Sequence, residues 1–209
     1  AERGWSVTVF DSHAPASGAS GNPRSLVQPR LAKGLDAASH LHLHAALFAA
    51  RQMDQLGVPA AQGALHLRVG HHADKVDAAL GHEGLPETLV RSVDGGEASS
   101  LAGGSVGPGA WFPSARSVSG PEYVAALLDH GNIELRNQEA VMEPSGEAPL
   151  VWCTGSAAKK ALDWRGLHQI RGQLEVLKPI PGLNHAICFG HYLLPGDDCA
   201  VLGASYDHD

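Results

Sequence analysis

An acidic residue directly after a short apolar segment is the first feature of this sequence that could do chemistry. Residues 5–10 are rich in β-branched and aromatic side chains, which predicts a strand that ends at Asp11. The Arg3-Gly4 pair before it is typical of a helix end. In the second half of a dinucleotide-binding βαβ unit, an acid at this place accepts hydrogen bonds from ribose hydroxyls. The alternative is an ordinary strand followed by a solvated surface acid.

A loop of small residues follows this strand. Residues 17–23 read Ser-Gly-Ala-Ser-Gly-Asn-Pro, and such residues let the backbone approach a ligand closely, although they are also common in plain connections. Dinucleotide-binding units hold the pyrophosphate with a G-x-G-x-x-G turn about 20 residues before the acid. That pattern does not occur in the sequence. We therefore expect any dinucleotide-binding part of this chain to be incomplete.

Other patterns that could carry chemistry are weak. Among 13 histidines, His40 and His44 are spaced i, i+4 on a predicted helix, but no third ligand accompanies them, so we predict no metal site. Ser156 and Lys159 match S-x-x-K without the companion motifs of penicillin-recognising enzymes, which indicates a chance match. No nucleophile with an identifiable base stands out, and we assign no catalytic residue.

Composition restricts the class of protein. With 209 residues, 44% hydrophobic and 18% charged, the chain is predicted to fold around one sizeable core or two small ones. A formal net charge of −7 gives no overall electrostatic footprint for nucleic acid, although it leaves room for a local basic groove. Three cysteines, with Cys153 and Cys188 in apolar surroundings, predict buried, reduced thiols of a cytoplasmic protein. No apolar stretch reaches the ~18 residues of a membrane helix, so we expect no membrane span.

Capping signals predict the helices. Asp36 is expected to cap a helix that runs to about residue 56 and stops at Gly57. Ser119 and Glu122 have the spacing of a capping box, which predicts a helix over residues 120–130. A short helix is also predicted over residues 73–80.

The strands are predicted from apolar patterning. The run 150–154, ahead of Gly155, indicates a strand buried on both faces, and we expect it to share a parallel sheet with the strand ending at Asp11. A Gly/Ser-rich loop is expected over residues 95–119. The strand-rich last third predicts a second, antiparallel sheet. Further strands are predicted at residues 65–69, 133–136, 139–142, 174–177, 186–189, 192–194 and 200–204.

Several motifs, in order along the chain, resemble the FAD-dependent oxidoreductases of the D-amino-acid oxidase and glycine oxidase superfamily. Residues 18–23, 26–31 and 203–206 are most similar to one branch, the oxidase domain of the bifunctional tRNA 5-methylaminomethyl-2-thiouridine biosynthesis proteins. The motifs are Arg-Gly-Trp leading to Asp11, Gly-Ala-Ser-Gly-Asn at 18–22, Val-Trp-Cys-Thr-Gly at 151–155, Arg-Gly-Gln at 171–173, Tyr-Leu-Leu-Pro at 192–195 and Gly-Ala-Ser-Tyr at 203–206.

The resemblance implies an α/β fold with an incomplete FAD/NAD(P)-binding Rossmann-like domain and a second, antiparallel-sheet substrate domain. We assign residues 1–60 and 120–165 to the FAD-binding part, and residues 61–119 and 166–209 to the substrate part. The family's glycine turn, C-terminal segment and methyltransferase domain are not in this chain, which therefore resembles a fragment. Because the turn donates several N–H bonds to the pyrophosphate, we expect the chain by itself to bind FAD weakly or not at all.

The resemblance also implies the cofactor, the reaction and the site. FAD is the expected cofactor, and the expected reaction oxidises a C–N bond of a secondary amine, either a small-molecule amine or the carboxymethylaminomethyl group of a tRNA wobble uridine. The alternatives are a glycine- or D-amino-acid-type oxidase and a non-catalytic fragment that binds no FAD. By resemblance, the cofactor contacts are Asp11 at the ribose, Ser17, Ala19, Ser20, Gly21 and Asn22 at the pyrophosphate and flavin, and Val141, Thr154 and Gly155 near the adenosine, while Arg171, Gly172, Gln173 and Tyr192 lie on the substrate side.

Overall fold

The computed structural model describes residues 1–31, 36–82, 84–139, 148–157, 170–205 and 207–208. Over these ranges the chain forms four α-helices and twelve strands. The helices are α1 (Ala37–Leu56), α2 (Ala73–Leu80), α3 (Gly95–Ala102) and α4 (Gly120–Leu128). The strands are β1 (Val7–Asp11), β2 (Ser25–Val27), β3 (Ala60–Leu67), β4 (Arg91–Val93), β5 (Gly109–Val118), β6 (Ile133–Asn137), β7 (Ile170–Arg171), β8 (Leu174–Leu177), β9 (Ala186–Cys188), β10 (Tyr192–Leu194), β11 (Ala200–Gly203) and β12 (Asp207–His208).

The helix boundaries follow the capping signals of the sequence. The Asp36 carboxylate accepts a hydrogen bond from the Ser39 N–H at 2.8 Å, which lowers the pKa of Asp36, and Gly57 ends α1 in the left-handed conformation with φ of 66°. At the start of α4, the Ser119 hydroxyl accepts from the Glu122 N–H. The predicted helices are confirmed as α1, α2 and α4. Of the helices within the described ranges, none has the length and apolar character that crossing a bilayer requires.

Eight strands form one sheet. Its order is β2-β5-β3-β9-β10-β11-β8, and β4 pairs with β5 as well. Every neighbouring pair is antiparallel except β3 with β9. The predicted second, antiparallel sheet is thus confirmed, and β2 also belongs to it.

The hydrophobic core lies on both faces of this sheet. Successive residues of β3 point to opposite faces, so neighbouring side chains enter different clusters. The buried side chains form a cluster that includes α2 (Ala64, Val76, Phe112), one that includes α3 (Leu65, Ala98, Trp111) and one between α1 and β5 (Met53, Val118).

A separate two-stranded parallel sheet carries the acid at the start of the chain. β1 and β6 pair from Val7 with Ile133 to Asp11 with Asn137. Parallel pairing is the pattern of α/β folds of the Rossmann type. The predicted strand that ends at Asp11 is therefore confirmed.

The expected strand at residues 150–154 is wrong. This segment forms no strand, and Val151 has 78% of its surface exposed. A strand buried on both faces needs layers above and below it, and the described part of the chain provides neither here. β6 is the strand that pairs with β1, so the expected parallel sheet joining Asp11 and Gly155 is not observed.

The Gly/Ser-rich region 95–119 is not a loop, as we expected from its composition. It forms α3 and β5, and β5 pairs with three other strands. Ala110 and Ala115 in β5 are fully buried, and Gly109 lies directly against the backbone of His66. Small side chains that suggest a loop also suit a central strand with close neighbours on both sides.

The three cysteines are free thiols. Cys188 and Cys199 are buried, whereas Cys153 is exposed, so its predicted burial is wrong. Burial raises the pKa of the Cys188 thiol to about 12, which keeps it protonated and poorly nucleophilic near neutral pH.

Candidate cofactor and substrate site

Asp11 lies at the carboxyl end of β1, where parallel strands of open α/β sheets meet their ligands. One carboxylate oxygen, Oδ1, accepts a hydrogen bond from the His13 N–H at 2.9 Å, which fixes the direction of the side chain. The Asp11 carbonyl accepts from the Glu139 N–H at 3.2 Å. Within the residues that the structure describes, the second carboxylate oxygen makes no hydrogen bond. It is therefore able to accept from a hydroxyl of a ligand.

The loop after β1 is folded tightly on itself. Ser17 N–H donates to the Ala14 carbonyl at 3.1 Å, and Gly21 N–H donates to the Gly18 carbonyl at 2.9 Å. Ala16 has φ of 59°, and a Cβ on Gly21 would overlap the carbonyl oxygen of Ala16. Only glycine fits at position 21 without moving the loop, because the obstacle is backbone.

The start of α4 holds this loop in place. Gly120 N–H donates to the Asn22 carbonyl at 3.1 Å, and a Cβ on Gly120 would overlap the Ser20 carbonyl oxygen. The loop thus offers small side chains and backbone at a position fixed by these contacts. An extended cofactor whose rings lie along backbone fits such a surface, and the free oxygen of Asp11 fits its ribose.

A buried arginine that the sequence analysis missed lies just after this loop. Arg24 is 8% exposed, and its Nη2 donates to Asp198 Oδ1 at 2.6 Å, in the turn between β10 and β11. Its guanidinium packs against Gly196 with no room for a side chain there. Burial by itself lowers the pKa of Arg24, but the hydrogen bond and charge of Asp198 outweigh it and raise that pKa. Ser117 Oγ, in β5, donates to the Pro195 carbonyl at 3.1 Å, so two bonds tie the turn to the part of the sheet formed by β2 and β5.

We expect Asp198→Ala to lower the free energy of unfolding measurably, because the buried guanidinium of Arg24 loses its charged partner. Urea denaturation of the two proteins measures this. Asp197→Ala, which removes the adjacent exposed acid, is the matched control and should change stability by less than about 0.5 kcal/mol. Equal losses in both variants would mean that the Arg24 bond is not a source of stability.

The residues assigned to the substrate side are brought together at one end of β8, β10 and β11. Leu174, Gly203 and Tyr192 are register partners across these strands, and the Tyr192 ring lies over Gly203, which has no side chain to displace it. Gln173 N–H donates to Ser205 Oγ at 3.1 Å, and Ser205 N–H donates back to the Gln173 carbonyl. Gly172 lies against the Ser205 carbonyl, and Arg171 is exposed on β7 next to it.

Three polar side chains that the sequence analysis also missed, Gln28, His66 and His72, form a hydrogen-bonded chain on the sheet that carries Tyr192. His66 Nε2 is 2.7 Å from Gln28 Oε1, and His66 Nδ1 is 3.1 Å from His72 Nε2. The two imidazoles stack at 5.1 Å, and the His66 ring contacts Phe112. Burial, with the charges of His72 and Lys75, lowers the pKa of His66 to about 3, and burial also lowers the pKa of His72.

The adenosine-side residues are not joined to Asp11 by the described structure. Thr154 and Gly155 are exposed, in a short 3-10 turn closed by Ala157 N–H donating to the Thr154 carbonyl. Val141 lies outside the described residues, as does the predicted strand at 139–142 apart from Glu139.

An open cleft of about 540 Å³ lies elsewhere on the sheet. It borders the stretch of β5 between the segments that pair with β4 and β2. None of the residues predicted for the site lines it. Its lining residues are Gln62, Glu87, Thr88, Arg91, Pro113, Ser114 and Arg116.

His40 and His44 have the spacing of two metal ligands on one helix. His40 and His44 stack on the exposed face of α1 with ring centroids 6.5 Å apart. Within the described ranges, no group of three or more His, Cys, Asp or Glu side chains is arranged to hold a metal ion.

Comparison with known proteins decides the family. The model of the FAD dependent oxidoreductase family, DAO, matches residues 1–209. The chain belongs to this family.

Curated relatives include two proteins named tRNA 5-methylaminomethyl-2-thiouridine biosynthesis bifunctional protein MnmC. The one from Thiobacillus denitrificans is 33% identical over 99% of this chain, and the one from Methylobacillus flagellatus is 31% identical over 99%. The chain spans 38% and 36% of their respective lengths.

Solved structures of two oxidases have the same fold as this chain. Glycine oxidase from Geobacillus kaustophilus superposes with a TM-score of 0.70 at 18% identity, over 96% of this chain and 65% of that one. Iminodiacetate oxidase from Chelativorans sp. BNC1 gives 0.69 at 20% identity, over 99% and 67%. At this identity the likeness concerns the fold alone, and it confirms the predicted α/β class with a Rossmann-like part.

Proposed function

We propose that the complete protein is an FAD-dependent oxidoreductase that oxidises the C–N bond of a secondary amine, and that its substrate is the carboxymethylaminomethyl group of a tRNA wobble uridine. The observation that carries this proposal is the 33% identity, over 99% of the chain, to a relative named for biosynthesis of a modified tRNA uridine. That relative is bifunctional, which supports a methyltransferase domain as partner in the same polypeptide. An enzyme of this kind works in the cytoplasm, where its tRNA is.

The residues present fit the cofactor that the family requires. Asp11 would hold the ribose through its free carboxylate oxygen, and the loop of Ser17, Ala19, Ser20, Gly21 and Asn22 would lie along the pyrophosphate and flavin. FAD, when bound, supplies the acceptor for the hydride that leaves the carbon next to the amine nitrogen. We retain residues 1–60 and 120–165 as the proposed FAD-binding part and 61–119 and 166–209 as the proposed substrate part.

On the substrate side, the chain's own residues bind and orient the amine. Arg171 offers an exposed guanidinium for a carboxylate, and Gly172 and Gln173 offer a backbone held by Ser205. Tyr192 supplies a half-buried ring on the neighbouring strand. No protein base is required when the amine enters neutral.

The full-length protein tests this proposal. We expect a yellow protein with a flavin spectrum that converts tRNA bearing carboxymethylaminomethyl-uridine to the aminomethyl form and releases an oxoacid. Free glycine and D-alanine should be turned over far more slowly. Fast oxidation of free amino acids without action on tRNA would favour an amino-acid oxidase. A protein that takes up no FAD would contradict the enzyme proposal itself.

We expect Asp11→Ala to weaken FAD binding by about ten- to a hundredfold, because one or two hydrogen bonds to a charged acceptor are lost. Turnover at saturating FAD should change little, since the ribose is remote from the flavin ring. Titration of full-length apoprotein with FAD, followed by turnover at saturation, measures both quantities. Glu2→Ala, an exposed acid ahead of the same strand, is the control. Unchanged FAD affinity would make Asp11 a surface acid, and lost turnover at saturation would move it to the flavin end.

A further inference from the structure

The direction of the hydrogen bonds in the Gln28–His66–His72 chain can be assigned from its chemistry. An amide oxygen only accepts, so His66 Nε2 carries the proton that it shares with Gln28 Oε1. A neutral imidazole has one donor and one acceptor, so His66 Nδ1 accepts and His72 Nε2 donates to it. The hydrogen bonds therefore run in one direction: His72 donates to His66, and His66 donates to Gln28.

This direction fixes the amide of Gln28. Its oxygen is held by His66, so its nitrogen, with two N–H donors, points away from the two imidazoles. In the described part of the chain, that nitrogen makes no hydrogen bond, and the Gln28 side chain is only half-buried. At the other end, His72 Nδ1 is buried and without a partner. The Gln28 amide is thus the end of the chain at which a ligand could be bound.

Gln28 is linked to the proposed site along the chain and across the sheet. It follows β2, six residues after Asn22 in the loop proposed for the flavin. Across the sheet, His66 is the register partner of Cys188, and Cys188 is the partner of Tyr192. Two strand spacings place the Cα atoms of His66 and Tyr192 about 10 Å apart. Gln28 is thus connected to the proposed cofactor loop along the chain and, through His66, to the strands that carry the proposed substrate residues.

We propose that Gln28 is a specificity-determining residue whose amide nitrogen donates to an acceptor oxygen in the site, either a carboxylate oxygen of the amine substrate or a carbonyl oxygen of the flavin. His66 and His72 are positioning residues that hold this amide with its nitrogen towards the ligand. The inference rests on the proposed function, because it needs an amine substrate and FAD.

Gln28→Glu tests the donor in the full-length, FAD-loaded protein. The glutamate still accepts from His66 but has no N–H to donate. For a secondary amine that carries a carboxylate, we expect KM to rise about ten- to a hundredfold, with KM for the corresponding amine without a carboxylate unchanged. If the flavin oxygen is the acceptor, the apoprotein's affinity for FAD falls instead and both KM values stay the same.

Two further variants exclude a simple effect of charge. Gln55→Glu adds the same charge at an exposed position of α1 and should change neither quantity. Gln28→Ala removes the donor without adding charge and should act in the same direction as Gln28→Glu. Unchanged KM and unchanged FAD affinity in Gln28→Ala would overturn the proposal. Absence of any amine oxidation in the wild type would instead contradict the proposed function, not this assignment.

The positioning role has its own readouts. Imidazole nitrogen NMR of the wild-type protein should find the Nε2–H tautomer at both His66 and His72, and an Nδ1–H tautomer at His66 would overturn the assignment without any variant. In a double-mutant cycle, His66→Leu should raise the same constant as Gln28→Ala, and it should add nothing in the Gln28→Ala background. Additive effects in that cycle would show that His66 does not act through Gln28.

Discussion

Gly21→Ala is expected to weaken FAD binding by the full-length protein about a hundredfold while the apoprotein stays folded. The new methyl group would overlap the Ala16 carbonyl oxygen, which is backbone and cannot rotate away as a side chain could. Overpacking of this kind costs about 1–3 kcal/mol, and a backbone obstacle belongs at the upper end of that range. The loop can relieve the overlap only by moving out of the conformation that we propose binds FAD. The free-energy cost therefore appears as weaker FAD binding.

Gly18→Ala is the matched control in the same loop. Gly18 has φ of −96°, and no atom lies within 4 Å of the place where its Cβ would be. Its FAD affinity should stay within about twofold of the wild type, as judged by titration of each apoprotein. If the two alanine variants bind FAD equally well, the loop is not the cofactor surface.

The second expected result is a loss of stability in mild acid. The pKa of His66 is about 3 in the folded chain, against 6.5 ordinarily, because burial disfavours the charged ring. Below pH 6.5 the unfolded chain therefore binds a proton that the folded chain does not, and the free energy of unfolding falls as the pH falls towards 3. For His66 alone the loss between pH 7.5 and 4.5 is about 2–3 kcal/mol, and His72 adds to it in the same direction.

Urea denaturation across this pH range measures the effect, and His66→Phe should flatten the dependence by about that amount. His42→Phe, an exposed histidine on α1, should leave the dependence as in the wild type. Carboxyls whose pKa is lowered, those of Asp36, Glu97 and Asp198, also contribute less stability in acid, but that loss begins only near their ordinary pKa values of 3.8 and 4.5. A wild-type protein equally stable at pH 7.5 and 4.5 would contradict the neutral state of His66.

Local signals were sufficient where an element depends on its own residues. Asp36 and Gly57 bound α1 through contacts within four residues, and β10 and β11 are joined by one short turn. The strand predicted at 150–154 is wrong because an apolar run indicates a tendency to be buried. It does not indicate which neighbouring elements will cover it. In the same way, the small residues of β5 suit either a loop or a central strand, and only the rest of the sheet decides between them.

The site residues that the sequence did not reveal depend on distant partners. Arg24 meets Asp198, which is 174 positions further along the chain, and no pattern around either residue indicates the other. His66 could have been noticed as a polar residue alternating with Leu65 and Leu67, but its partner Gln28 is 38 positions away. Asp11 and the small-residue loop were found because strand, acid and glycines follow one another within residues 7–21.

The sheet of β1 and β6 is separate from the eight-stranded sheet and much smaller than it. Neither strand has a fully buried residue, whereas β3 has four, so little apolar surface resists the opening of β1 and β6. Backbone amides of Val7–Asp11 should then exchange with solvent through local fluctuations, long before those of β3, which require global unfolding. If Asp11 holds the ribose as proposed, the cofactor binds beside a sheet that opens readily, and part of its binding free energy goes into keeping that sheet closed.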